Sequence, residues 1–172
     1  MSTNALISVM VVLIGLAACV TDLRTRRIPN VLTFGAALAG LAFHALTSGV
    51  DGALPSAGGW LVGVLLFLPF FALGGMGGGD VKLLAALGAW LGPRETLWLV
   101  VYTGIAGGVL GVGVAVAKGY LRTAVSNVFG VFRFWAMAGI KPVPGLTLES
   151  SGAPRLAYAI PIFVGTVVTL WR

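Results

Sequence analysis

Charge is what this chain has least of. Only 9% of its 172 residues are charged, and only five are acidic: Asp22, Asp51, Asp80, Glu95 and Glu149. With 58% hydrophobic residues and a mean hydropathy of +1.02, it lacks the polar surface a soluble domain of this length needs. A single cysteine, Cys19, excludes an intrachain disulfide and a thiolate metal cluster. A single histidine, His44, sits alone in an apolar run, where packing or a hydrogen bond explains it better than metal ligation. Neither Cys19 nor any serine has an evident neighbouring base, which argues against a serine or cysteine hydrolase. The net charge of +6 is spread over short segments between apolar runs, a pattern of membrane loops beside anionic lipid rather than of nucleic-acid binding.

What is present is a series of apolar runs, and the predicted fold is an all-α polytopic membrane protein with about six spans. These are 5–21, 31–47, 57–73, 81–92, 96–117 and 156–171. The fourth, at 12 residues and about 18 Å as a helix, needs local thinning, polar flanks or a packed interior position. Leu16-Ala17-Ala18-Cys19 has the look of a lipoprotein acylation box. However, no Lys or Arg precedes it, and export would place Arg24, Arg26 and Arg27 outside, so Cys19 reads as a packing residue of a retained helix. Gly104, Gly107, Gly108, Gly111 and Gly113 in the fifth span read as close helix contacts. Within 118–154, the residues Phe129, Phe132, Phe134 and Trp135 among Lys118, Arg122, Arg133 and Lys141 predict an interfacial amphipathic element. The whole chain, 1–172, reads as one membrane-embedded domain with 118–154 as its cytoplasmic or interfacial connection.

Charge counting sets the topology. With both termini on the outer side, the inner segments carry Arg24, Arg26, Arg27, Lys82, Lys118, Arg122, Arg133, Lys141 and Arg155. Only Arg94 and Arg172 then lie outside. This arrangement brings Asp22, at the end of the first span, and Asp80, at the start of the fourth, to the same cytoplasmic boundary. Asp80 ends the run Gly74-Gly75-Met76-Gly77-Gly78-Gly79-Asp80. Capping the fourth helix would explain it, and so would catalysis. Asp22 fits less easily, because a carboxylate near a helix C-terminus faces the negative end of the dipole. Asp51 and Glu95 read as solvated outer loop charges, and Glu149 as a bystander.

At Asp22 with Ile28-Pro29-Asn30, and at Gly77-Gly78-Gly79-Asp80, the sequence resembles the type IV prepilin peptidase family of GxGD membrane aspartic proteases. Pro154-Arg155-Leu156-Ala157-Tyr158-Ala159-Ile160-Pro161 is similar to the start of that family's last helix. The resemblance implies a prepilin leader peptidase with Asp22 and Asp80 catalytic and no metal or organic cofactor. The implied location is the bacterial inner membrane. Two adjacent carboxylates share one proton, giving a base for water and an acid for the scissile carbonyl. Which aspartate plays which part stays open. Gly77, Gly78 and Gly79 would admit an extended peptide. Lys82 either tunes the site, touches substrate or snorkels, Pro29 shapes the loop, and Asn30 caps the second span. The chain begins directly at the first span and has one cysteine. It therefore resembles the short, peptidase-only branch of tight-adherence or Flp pilus systems, which implies a Flp-type pilin precursor as partner and no methyltransferase activity. Membrane lipids are the other expected partner, nucleic acid is not one, and oligomeric state is open. The alternatives are a presenilin-like intramembrane protease and a non-enzymatic proton-coupled transporter or structural membrane subunit.

Overall fold

The computed structural model describes residues 3–143 and 157–172, all of whose regular elements are helices. Glu149 and Arg155, and most of the 118–154 segment's last third, lie outside the described residues. The helices are α1 (Thr3–Thr25), α2 (Asn30–Ala72), α3 (Gly78–Leu91), α4 (Pro93–Ala117), α5 (Leu121–Ala138) and α6 (Ala159–Trp171). Three of them, α1, α2 and α4, are long and apolar enough to cross a membrane, and α6 is a shorter apolar helix.

The 43 residues of α2 form two arms rather than one rod, because Gly49 leaves helical geometry at φ 62°, ψ −141°. A positive φ is closed to most side chains, so glycine is what permits the reversal. The two predicted spans 31–47 and 57–73 are therefore the two arms of α2, and both lie against α3. From the first arm, the Ala36 carbonyl accepts Trp90 Nε1–H at 2.8 Å, and His44 Nε2 reaches the Trp90 carbonyl at 3.0 Å. From the second, Ser56 Oγ donates to the Ala89 carbonyl at 2.6 Å. A Cβ on Gly59 would overlap the Gly88 carbonyl, and one on Gly88 would overlap the Gly59 carbonyl, so the two backbones meet without side chains between them.

This clasp explains the short fourth span. At 14 residues α3 is about 21 Å long. Of its apolar stretch, Val81 and every residue from Leu83 to Trp90 are buried, while Lys82 is exposed. Of the routes open to a short span, α3 takes the packed interior position.

On the far side, α6 runs antiparallel to α1. Gly15 faces Phe163 and Cys19 faces Ala159, so one index rises as the other falls. α6 also packs on α4, with Gly165 against Thr103 and Gly107 against Tyr158. Gly107 thus makes a close contact, but among the described residues nothing lies within 4 Å of a Cβ added to Gly104, Gly108, Gly111 or Gly113. The expectation that all five glycines mediate helix contacts fails for those four, which face outward from α4. Glu95 is also no lone solvated charge: Arg172 Nη2 donates to its Oε2 at 2.9 Å and stacks 4.3 Å above the Trp98 ring.

Large apolar side chains such as Leu13, Leu38, Leu61, Val109 and Val112 cover the outside. Exposed apolar surface on this scale is suited to lipid rather than water. α5 stands apart, with no buried residue. Its Val125, Val128, Phe129 and Phe132 recur at helical spacing on one face, opposite Thr123, Asn127 and Gly130, while Phe134 falls on the Asn127 side.

Candidate active site

One end of the bundle collects the last turn of α1, the α1–α2 loop, the glycine run before α3 and the first residues of α6. The helix α1 continues one turn beyond the predicted boundary, so Asp22 is inside its last turn and buried, at 8% exposure. Its Oδ2 accepts the Ala159 backbone N–H at 3.4 Å. One turn earlier, Cys19 Sγ donates to the Ala159 carbonyl at 3.2 Å. Ala159 opens α6, where N–H groups have no intrahelical acceptor. The carboxylate that seemed misplaced at the negative end of α1 is thus matched to the positive end of α6.

Asp80 is the third residue of α3. Its N–H donates to the Gly77 carbonyl at 3.1 Å, and its Oδ2 accepts the Gly77 N–H at 3.2 Å. The capping role foreseen for it is real, and it leaves the second carboxylate oxygen uncommitted to that bond. Asp80 stands ahead of the apolar run that begins at Val81, outside the spanning segment. Burial, and then the negative charge of Asp22, push its carboxyl up from 3.8 to about 7, against the opposing pull of the Gly77 N–H. The charge of Asp22 thus reaches Asp80, 58 residues away in sequence and on a different helix.

At each of the three glycines before Asp80 an added Cβ would meet a close side chain. A Cβ on Gly77 would sit 3.0 Å from Asp80 Oδ2, one on Gly78 3.2 Å from the Phe71 ring, and one on Gly79 3.3 Å from Ile28 Cβ. The Gly79 contact joins the Ile28-Pro29-Asn30 loop to the start of α3. Pro29 occupies the N-cap position of α2 at φ −63°, ψ 137°, and its carbonyl accepts the Leu32 and Thr33 N–H groups. Asn30 is the first residue of α2 rather than its cap, and the N-cap residue makes no side-chain capping bond. The Asn30 side chain instead accepts Lys82 Nζ at 2.9 Å.

Lys82 lies two residues from Asp80, which on a helix points it to the opposite side. Its ammonium lies 5.5 Å from the centre of the Phe34 ring, beside a cavity of about 310 Å³ whose lining includes Trp60, Phe71 and Gly78. The structure thus brings Asp22, Asp80 and Gly77–Gly79 together and sets Lys82 and Asn30 on the other face of α3.

Sequence reasoning missed Tyr158 and the Cys19–Ala159 bond. The Tyr158 ring meets the buried Phe67 edge-on, with 6.4 Å between ring centres. Its signal was present in the Leu156-Ala157-Tyr158-Ala159-Ile160-Pro161 stretch, and that of Cys19 in its placement three residues before Asp22.

A pair of carboxyl groups, each held on a backbone N–H and one with a raised proton affinity, is chemically equipped for general acid–base work. A prepilin leader peptidase/N-methyltransferase of Burkholderia pseudomallei (strain 1026b) is 32% identical over 157 residues, covering 87% of this chain and 45% of the relative. Proteins of the same name from Aeromonas salmonicida (strain A449) and Dickeya chrysanthemi are 34% and 35% identical over 105 and 100 residues. Those matches cover 58% and 55% of this chain, and 36% and 35% of the relatives. The matched stretch therefore spans less than half the length of each relative. No solved structure gives a significant match. The sequence model of the type IV leader peptidase family matches residues 9–112, which takes in both aspartates and the glycine run; the chain belongs to the type IV leader peptidase family.

Proposed function

We propose that this protein is an aspartic endopeptidase that removes the leader of a type IV pilin precursor, with Asp22 and Asp80 as its catalytic pair. The observation that carries the reading is the convergence of the two carboxyl groups at one end of the bundle, where each is held by backbone N–H and Asp22 raises the proton affinity of Asp80. That asymmetry supports a division of labour. Asp22, on the positive end of α6, takes the proton from water, and Asp80 supplies one to the scissile carbonyl. A water held between them loses a proton to Asp22 as its oxygen bonds to the scissile carbonyl carbon, while the Asp80 proton passes to the carbonyl oxygen. When the C–N bond breaks, the Asp22 proton goes to the departing amine and Asp80 regains its own.

The inward-facing basic residues support placing this end at the cytoplasmic face of the bacterial inner membrane, with both termini outside. There an extended leader would lie against Gly77–Gly79, beside Pro29 and Ile28, while the apolar helix of the precursor stays in lipid. Lys82 and Asn30 shape the site from behind α3 through their mutual hydrogen bond. The proposed reaction is cleavage without methyl transfer, on a Flp-type precursor, and α5 with its flanking segment lies on the inner membrane surface. The decisive experiment is co-expression with a pilin precursor, comparing wild type with D22N and D80N. The expectation is loss of leader removal in both variants, with the mature N-terminus unmethylated by mass spectrometry. Cleavage by either well-folded variant would defeat the paired-aspartate reading.

A further inference from the structure

We propose that the groove between the two arms of α2 is a binding site for one anionic phospholipid, with an acyl chain lying along α3 and the headgroup phosphate on Lys82. Two cavities make up the groove, one of about 310 Å³ and one of about 210 Å³. They share Phe34 of the first arm and Trp60 of the second as walls. On α3 their lining falls at Gly78, Val81, Lys82, Ala85 and Ala89, the three- and four-residue spacing of a single helix face. The rise from Gly78 to Ala89 is about 16 Å. That is roughly half of a hydrocarbon core about 30 Å thick, which is the depth of one leaflet. The groove offers a chain hydrocarbon contacts, because the hydroxyls of Thr33 and Ser56 in its lining already donate to the carbonyls of Asn30 and Ala89. Phe34, Leu38, Trp60 and Leu68 are exposed, so the groove opens sideways to lipid.

Charge decides the occupant. Among the described residues Lys82 is the one charged side chain lining either cavity, and it stands at the end where α3 begins. Asn30 Oδ1 at 2.9 Å and the Phe34 ring, 5.5 Å from its centre, fix the ammonium at the mouth of the groove. Asn30 takes one of its three N–H donors, and among the described residues no carboxylate pairs with it. A cation at one end of an apolar channel one leaflet deep matches an amphiphile with an anionic head and a hydrocarbon tail. The spanning helix of a protein partner does not match, being about 10 Å across with its side chains and about 30 Å long. Gly78, two residues before Asp80, belongs to the lining, so the lipid sits directly behind the glycine run.

The test reconstitutes the full chain in phosphatidylcholine nanodiscs containing increasing fractions of acyl-brominated phosphatidylglycerol or acyl-brominated phosphatidylcholine. Bromine quenches tryptophan on contact, and the part of the quenching missing from W60F reports the groove. Trp60 quenching should be half-complete at a mole fraction of phosphatidylglycerol about fivefold lower than of phosphatidylcholine, the effect expected of one lysine. K82R should keep that preference and K82M should lose it, both with the melting temperature of wild type because Lys82 is exposed. V64F and L68F each put a ring into the larger cavity and should weaken Trp60 quenching by both lipids. A lowered melting temperature in V64F leaves L68F, on the exposed rim, to make the same test. Equal quenching by the two lipids in wild type, or a preference that survives in K82M, would overturn the proposal. Quenching unchanged in the ring-filled variants would place the chain outside the groove and overturn it as well. Loss of Trp60 quenching on adding a pilin precursor would assign the groove to the precursor's apolar helix instead.

Discussion

The raised Asp80 carboxyl makes a prediction about stability that is independent of any substrate. In the unfolded chain this group titrates near 3.8, and in the folded protein near 7. Between those values the folded state holds a proton that the unfolded state has released, so stability falls as pH rises through that window and levels off above it. A difference of this size corresponds to about 4 kcal/mol at most, at 1.36 kcal/mol per pH unit. D80N keeps an oxygen that can accept the Gly77 N–H but cannot ionise, so it escapes the loss. D80N and wild type should therefore melt together below about pH 4, and D80N should become progressively more stable up to about pH 7. On the scaling of about 2–4 °C per kcal/mol for chains of this size, the full gap is several degrees or more. The assay is intrinsic tryptophan fluorescence during thermal unfolding in a single detergent across that pH range. D22N supplies the internal control. Removing the neighbouring charge leaves burial as the raising cause, so the inflection attributed to Asp80 should move to lower pH. A gap between D80N and wild type that is constant across pH, or that has the opposite sign above neutrality, would refute the argument that Asp22 and burial hold a proton on Asp80.

The packing makes further predictions. G59A would drive a methyl into the Gly88 backbone carbonyl, which cannot swing aside as a side chain would, so it should destabilise by at least about 1–3 kcal/mol in denaturant or thermal unfolding. G104A, where nothing lies within 4 Å, should leave the melting temperature unchanged or slightly raised. The Lys82–Asn30 hydrogen bond is exposed, so a K82M/N30A double-mutant cycle should return a coupling of about 0–1 kcal/mol, and a larger value would mean the pair holds α2 on α3. Spin labels at residues 129 and 132 of α5 should be protected from a water-soluble relaxation agent and reached by oxygen in lipid, with the opposite pattern at residue 127. Equal accessibility at the three sites would remove α5 from the membrane surface.

How far the chain could be read from its sequence depended on which forces set each feature. The spans were legible because lipid demands continuous apolar helix, and the common end of Asp22 and Asp80 followed from their separation by an even number of passes together with the placement of basic residues. The reversal at Gly49 was legible only as a break, since residues 48–52 contain the required glycines but do not say that both arms will clasp the same helix. That clasp depends on Gly59 meeting Gly88 and on Ser56 reaching the Ala89 carbonyl, contacts between residues about 30 apart that no local pattern announces. The span-five glycines were misjudged for the same reason. Composition marks a helix that can be approached closely, but only the neighbour decides which face is approached, and here Tyr158 selects Gly107 alone.

The site was legible as a pair and not as a triad of elements. Asp22 looked unfavourable at the end of its own helix because the compensating charge belongs to α6, more than a hundred residues later. The Ala159 N–H that receives it is backbone, so no side chain in the sequence advertises it. Cys19 donates to the carbonyl of the same residue, so α1 holds Ala159, at the start of α6, through both its N–H and its carbonyl. This arrangement has a consequence for how the two aspartates stay poised. Asp80 is oriented by its own helix start through Gly77, whereas Asp22 is oriented by a different helix, so their separation is set by how α6 docks against α1 and by how the Ile28 loop docks against Gly79. A precursor that slips between these elements would act on the distance between the carboxylates directly.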